Sequence, residues 1–144
     1  MISLYVVCGL AFFFNILDSI LTWVALHKLP RKLRAKEINP LMDRLMKKSS
    51  LTSNLLKHGF MVGVVTYLIL SKAYWASVLL CTTLGLVVLN NSYIVIGRVL
   101  TKRKIASPLY YIKKKIRIPK RFEYIFFVST IVVLSVGVTL LVVR

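Results

Sequence analysis

Acidic residues are scarce in this chain of 144 residues, and so are glycine and proline. Four Asp and Glu stand against 21 Lys and Arg, which gives a formal net charge of +17. Six Gly and four Pro exclude a collagen-like or linker-like composition. Charged residues make up only 17% of the chain and hydrophobic residues 58%, which excludes both an ordinary soluble domain and a disordered chain. The composition therefore predicts a small, basic integral membrane protein.

Signatures of known enzyme classes are also missing. The sequence has no nucleophile elbow, no paired intramembrane carboxylates, no HExxH and no P-loop. We therefore expect no catalytic residue and no cofactor. We also expect no metal, because Asp18 and His58 lack the spacing of a ligand set. Cys8 and Cys81 are interpreted as small buried apolar residues, and the sequence leaves open whether they face each other. No cleaved signal peptide is expected, because no Lys or Arg precedes the first apolar run.

Long uncharged runs predict the fold. A helix crosses a bilayer with about 20 mostly apolar residues, and three runs meet that length directly. The remaining candidate run is shorter and follows Lys57. Eight Lys and Arg lie in 27–50 and ten in 98–121, which predicts that both loops are cytoplasmic. The chain between these loops must then cross the membrane an even number of times, so the shorter run is also a span. We predict an all-α, polytopic membrane protein, a single domain with two basic cytoplasmic loops, 27–50 and 98–121. Its four transmembrane helices lie at about 2–26, 52–72, 74–97 and 122–143.

Both cytoplasmic loops are predicted to carry short interfacial helices. Asn39-Pro40 has the pattern of a helix start, and 40–48 would place Leu and Met on one side and basic residues on the other. The second loop mixes Ile and Tyr with a lysine run between Pro108 and Pro119. The charge distribution predicts a multi-pass protein with both basic loops in the cytoplasm and both termini outside.

The basic side chains of the second loop leave open whether they bind an anionic partner. They either serve only to set topology or contact the headgroups of anionic inner-leaflet lipids or another protein. Nucleic acid is the least favoured partner, because the sequence has no recognised nucleic-acid module. The candidate headgroup contacts are Lys102, Arg103, Lys104, Lys113, Lys114, Lys115 and Arg117.

Polar residues at similar depth on three spans form the main candidate site. Asn15, Asp18 and Thr22 share one helix face, and an ionisable residue inside a membrane is a functional hypothesis by default. One interpretation is a structural ion pair of Asp18 with Lys57, bracketed by the amides of Asn15 and of either Asn90 or Asn91. A second is that Lys57 extends to the headgroups without a partner. The third is a site, open to the cytoplasm, for an anionic headgroup or an ion. The predicted layer consists of Asn15, Asp18, Thr22, Lys57, His58, Asn90 and Asn91.

Residues 15–60 resemble a family of small prokaryotic membrane proteins whose function is uncharacterised. The resemblance is carried by an N-x-x-D-x-x-x-T helix at 15–22, an E-x-N-P-L-M loop motif at 37–42 and an early Lys in the following helix. Loop 27–36 is longer and more basic than the family pattern, and the last loop and last span have no counterpart in it. The resemblance implies a place in the cytoplasmic (plasma) membrane of a prokaryote but no activity. It also implies that Asp18, Glu37, Asn39 and Lys57 act as one unit, with Pro40 in the same loop motif as Glu37 and Asn39.

The sequence therefore predicts a non-enzymatic role as an accessory or scaffolding subunit of a larger membrane assembly. Its expected partners are other membrane subunits or copies of itself, together with anionic lipid. The alternative is a transporter, a flippase-like element or an enzyme that handles an anionic lipid headgroup or an ion. That alternative would use the layer around Asp18, Lys57, His58 and Asn90.

Overall fold

The computed structural model describes residues 3–33, 50–119 and 122–142, without the side chains of Ser50, Leu51, Lys113 and Glu123. This part of the chain contains helices and no strand. The helices are α1 (Leu4–Trp23), α2 (Ser50–Leu70), α3 (Tyr74–Thr101), α4 (Pro108–Ile116) and α5 (Glu123–Val142). The helix α1 continues into a π-helical turn at Val24–Lys28, and a 3-10 turn follows at Arg31–Leu33.

Four helical segments are long and apolar enough to cross a membrane: Leu4–Lys28, Thr52–Leu70, Tyr74–Thr101 and Tyr124–Val142. The predicted all-α fold with four transmembrane helices is therefore confirmed. The helix α3 continues four residues beyond the boundary predicted near Gly97, to Thr101, and includes Arg98. The second loop does carry a short helix, α4, whereas the helix predicted at 40–48 lies outside the described residues.

The spanning helices alternate in direction along the chain. Contacts of α1 with α2 join Asp18 to Lys57 and Asn15 to His58, so these two helices are antiparallel. Contacts of α1 with α3 join Cys8 to Ser77 and Asp18 to Asn91, so this pair is parallel. The pair α1 and α3 forms the centre, with α2 packed on α1 and α5 packed on α3.

The connections divide the bundle into two ends. We call the end with the short connection Ser71–Ala73 the turn end, and the end with residues 28–33 and 98–119 the basic end. Residues 33 and 105 meet at the basic end, because the Arg98 guanidinium bonds the carbonyl oxygens of both. Both described basic segments therefore lie on one side of the bundle.

A left-handed residue closes the turn end. Lys72 has φ 51°, a region that glycine normally occupies at the end of a helix. The amide of Ala73 donates to the Leu68 carbonyl at 3.1 Å and that of Lys72 to the Ile69 carbonyl at 3.2 Å. These two bonds form a Schellman motif that satisfies carbonyls at the end of α2 and reverses the chain within three residues.

Small residues bring the central helices together at the turn end. Cys8 and Ala11 are buried on α1, and Ser77 is buried opposite them on α3. Ser135 and Thr139 of α5 are buried against α3, where the Thr82 and Thr139 hydroxyls lie 3.0 Å apart. Lipid is as apolar as leucine, so close packing of small residues, rather than a hydrophobic driving force, holds membrane helices together.

Candidate functional site: an intramembrane polar cluster

The buried seam of α1 changes character along its length. Its inward positions follow helical spacing, and near the middle they change from small residues to Asn15 and Asp18. Asp18 lies ten residues before Lys28, which places it about 15 Å from the basic end of α1 at 1.5 Å per residue. A carboxylate at that depth is costly unless other groups compensate its charge.

Two side chains from different helices bind the Asp18 carboxylate. The Lys57 ammonium of α2 pairs with Oδ2, and the Asn91 amide nitrogen of α3 donates to Oδ1 at 2.6 Å. The Asp18 side chain is 12% exposed and that of Lys57 is 25% exposed. The carboxylate charge is thus balanced by one cation, and both of its oxygens are hydrogen-bonded.

Neighbouring amides orient this pair. Asn90 donates to the Asn91 side-chain oxygen at 3.3 Å, which leaves the Asn91 nitrogen directed at Asp18. About one turn further toward the turn end, the Asn15 amide nitrogen lies 2.9 Å from His58 Nδ1. With the amide as donor, Nδ1 accepts and the ring proton sits on Nε2. Six of the seven predicted layer residues are therefore joined in two hydrogen-bonded groups across three helices.

Thr22 is the predicted member that joins neither group. It lies one turn beyond Asp18 on the same face and is half-buried, but none of the cluster's described hydrogen bonds includes it. Ser53 is a member that the prediction missed. It lies one turn before Lys57, is 1% exposed, and its hydroxyl has no partner among the described residues. The i, i+4 spacing to Lys57 is the sequence feature that could have identified it.

Arg98 is the second missed residue, and it lies near the basic end of α3. Its side chain is buried; Nε donates to the Ile105 carbonyl at 2.9 Å and Nη1 to the Leu33 carbonyl at 2.7 Å. Beside it, a Cβ on Gly97 would lie 2.9 Å from Ile105 Cδ1, so the loop folds back onto α3. Arg98 was predicted to be a loop cation but instead fastens two loops to one helix end.

The described candidate headgroup contacts lie apart from the cluster. The side chains of the candidate headgroup contacts are exposed at the basic end wherever they are described: Lys102, Arg103, Lys104, Lys114, Lys115 and Arg117. For Lys113 the structure gives only the backbone, which belongs to α4. Glu37, Asn39 and Pro40 lie outside the described residues, so their predicted link to Lys57 stays a prediction.

The chemistry open to the polar cluster is narrow. It contains one carboxylate, one ammonium and one imidazole, and the first two are paired with each other. Within the described residues, no three His, Cys, Asp or Glu side chains lie close enough to hold a metal ion. The arrangement can hold three helices in register, and the partly exposed Lys57 can present donors to a small anion.

Comparison with family models, curated proteins and solved structures finds no match for this chain. The family resemblance of residues 15–60 therefore stays a prediction. Of its motif residues, the structure describes Asn15, Asp18, Thr22 and Lys57, and it brings three of these four into the polar cluster. No function can therefore be transferred from a relative, and the function of this protein has to be inferred from its own geometry.

Proposed function

We propose that the protein is a structural subunit of a larger membrane assembly, with no catalytic activity of its own. The observation that carries this proposal is the state of Asp18, the deepest charge of the cluster. Both of its oxygens are used in contacts to the neighbouring helices α2 and α3. A carboxylate that acts as a general base must lie within hydrogen-bond reach of the reacting group, whereas the contacts described for both Asp18 oxygens are to side chains of the protein itself. Here the charge serves to join helices.

The outer surfaces of the bundle support the same proposal. Among the described residues, α2 packs mainly on α1 and α5 mainly on α3, and each exposes large apolar side chains elsewhere, among them Phe60, Leu70 and Leu141. In a membrane such faces are covered by lipid or by neighbouring subunits. A bundle held by small residues and one polar cluster presents these faces in a fixed arrangement, as an accessory subunit requires.

Native mass spectrometry of the protein extracted from its own membrane in mild detergent tests this function. We expect partner subunits at fixed stoichiometry. The double variant Asp18→Asn/Lys57→Met should retain them, because an uncharged pair of similar size keeps the helices together. A protein that appears alone, or only as a homo-oligomer, would contradict the proposal of a larger assembly.

The second candidate is a transporter, flippase-like element or enzyme that handles an anionic headgroup or an ion. Lys57 favours it, because a quarter of that side chain is exposed and Asp18 is the acceptor described for its three donors. Ser53, buried and without a described partner, lies one turn away. This function predicts a lone protein that retains an anionic lipid and loses it in Lys57→Met. Retention of that lipid in Lys57→Met would exclude the site.

We propose a topology with the basic end in the cytoplasm of a prokaryotic cell and both termini outside. It is supported by the charge distribution, since 18 of the 21 Lys and Arg lie in 27–50 and 98–121. Single cysteines in place of Lys72 and Arg103, on a background without Cys8 and Cys81, test it in intact cells. An impermeant thiol reagent should label position 72 and spare position 103. The opposite pattern would reverse the topology.

A further inference from the structure

We propose that α4 and the loop before it form a binding surface for anionic phospholipid headgroups in the leaflet at the basic end. This surface consists of residues 102–104 and 108–117, and we call it the basic shelf. It is separate from the polar cluster and independent of the proposed assembly. Its partner is a lipid surface rather than a single small molecule.

The loop before α4 lies against the end of α3. Between Thr101 and Pro108 the chain does not leave the bundle, because Ile105 packs on Gly97 and its carbonyl accepts from Arg98. The chain thus returns alongside the last turn of α3 before α4 begins. Ser107 is buried there, and its Oγ caps α4 by accepting from the Tyr110 amide at 3.1 Å. These contacts hold the start of α4 beside the last turns of α3, at the basic end of the bundle.

The helix α4 has apolar residues on one face and lysines on the others. Leu109, Ile112 and Ile116 follow i, i+3, i+7 spacing and share one face of the helix. Ile112 is 45% and Ile116 is 61% exposed, so the described bundle leaves this stripe largely uncovered. Lys114 and Lys115 lie on the remaining faces and are exposed. An apolar stripe flanked by lysines is the pattern of a helix that lies in the plane of an interface.

The charged residues of the basic shelf are all cations. No Asp or Glu occurs between Arg44 and Phe122, so the acidic residue nearest in sequence to the shelf is Glu123, six positions after Arg117. Lys102 and Arg117 have φ of 52° and 59° and stand just beyond the ends of α3 and α4, where a cation complements the helix dipole. Their ammonium and guanidinium groups are exposed at the basic end and can donate to headgroup phosphates. Charge complementarity therefore favours anionic lipid as the occupant.

Lipid competition on the full-length protein in detergent micelles tests the basic shelf. Native mass spectrometry would compare retention of phosphatidylglycerol with that of phosphatidylcholine. We expect a preference for phosphatidylglycerol. In Lys114→Gln/Lys115→Gln/Arg117→Gln this preference should fall by about tenfold or more, since each cation near an anionic surface contributes roughly fivefold. The charge-conserving variant Lys114→Arg/Lys115→Arg should keep the preference.

A matched control separates local binding from general attraction. Lys28→Gln/Arg31→Gln/Lys32→Gln removes the same charge at the same end of the bundle but leaves α4 intact. We expect a much smaller loss of preference in this variant. An equal loss in both triple variants, or no lipid preference in the wild type, would overturn the proposal. So would the retention of RNA or an acidic protein at the shelf in place of lipid.

A second measurement covers the orientation of α4. In nanodiscs that contain phosphatidylglycerol, the amides of 108–116 should exchange hydrogen more slowly than in discs of phosphatidylcholine alone. This protection should disappear in the Lys114/Lys115/Arg117 variant and at high salt, which screens exposed charges. Equal exchange in both kinds of disc would overturn the proposal even if the variant were poorly folded in micelles. Loss of partner subunits would not change either readout.

Discussion

The turn-end and basic-end halves of the bundle hold the same helices together by different means. Toward the turn end, small residues pack closely, and their hydroxyls bond their own helix or one another, as in the contact of Thr82 with Thr139. Toward the basic end, the contacts are charged: Asp18 with Lys57, and Arg98 with two loop carbonyls. A lost hydroxyl contact leaves groups that are still satisfied. A lost charged partner leaves a buried charge or polar group unmatched, so the basic-end half should be far more sensitive to single substitutions.

Lys57→Met should produce the largest effect. It leaves Asp18 buried with a single amide donor, and the removal of one partner of a buried ion pair costs about 3–5 kcal/mol. The free energy of unfolding, measured by adding a denaturing detergent to mild micelles, checks this value. An effect no larger than that of a hydroxyl substitution near the turn end would remove the contrast between the two halves.

Asp18→Asn supplies the matched variant. Its cost should be smaller than that of Lys57→Met, because the more exposed Lys57 can extend toward water at the basic end. The double variant Asp18→Asn/Lys57→Met should recover most of the stability lost in Lys57→Met. Additive losses would show that the two side chains act independently.

Arg98→Met should have the next largest effect. It removes two charge-assisted hydrogen bonds, to the carbonyls of Leu33 and Ile105, but water at the basic end can replace part of them. We expect a loss of about 2 kcal/mol and faster hydrogen exchange in residues 102–107. Arg98→Lys should restore little of this loss, because a single ammonium lacks the fork that reaches both loops. Unchanged exchange in both variants would contradict a fastening role.

The sequence predicted the four spans and the polar face of α1, because both follow from simple sequence patterns. Uncharged run lengths predict three of the four spans, and the distribution of Lys and Arg predicts the fourth. The i, i+3 spacing puts Asn15 and Asp18 on one face. The sequence could not decide between Asn90 and Asn91 as the partner of Asp18. Adjacent helical residues differ by about 100° in direction, and the rotation of α3 that selects Asn91 is set by packing on α1.

Arg98 shows where such local reasoning fails. A charge after a long apolar run was interpreted as the beginning of a loop, but α3 continues past it to Thr101. The charge is tolerated in the helix because its acceptors come from Leu33 and Ile105. Leu33 lies 65 positions away in the sequence, so no local pattern identifies it. Contacts of this kind depend on the assembled bundle.

Thr139→Val should have a small effect near the turn end. It removes the contact with Thr82, whose hydroxyl keeps the carbonyls of Val78 and Leu79 as partners at 3.0 Å each. Hydrogen bonds between membrane helices contribute about 0.6 kcal/mol on average. We expect a loss of that size in the free energy of unfolding. A loss comparable to that of Lys57→Met would mean that the turn-end half also depends on single polar contacts.

Ser53→Ala should have the smallest effect, although Ser53 lies in the sensitive basic-end half. Its buried hydroxyl has no described partner, so removal of the oxygen eliminates an uncompensated polar atom. We expect a free energy of unfolding within about 0.5 kcal/mol of the wild type, on the stabilising side. Ser77→Ala is the control, because that equally buried hydroxyl bonds the Ala73 carbonyl and contacts Cys8. A clear loss in Ser53→Ala would mean that the hydroxyl binds a water or a headgroup in the membrane, which would favour a ligand site beside Lys57 over a purely structural cluster.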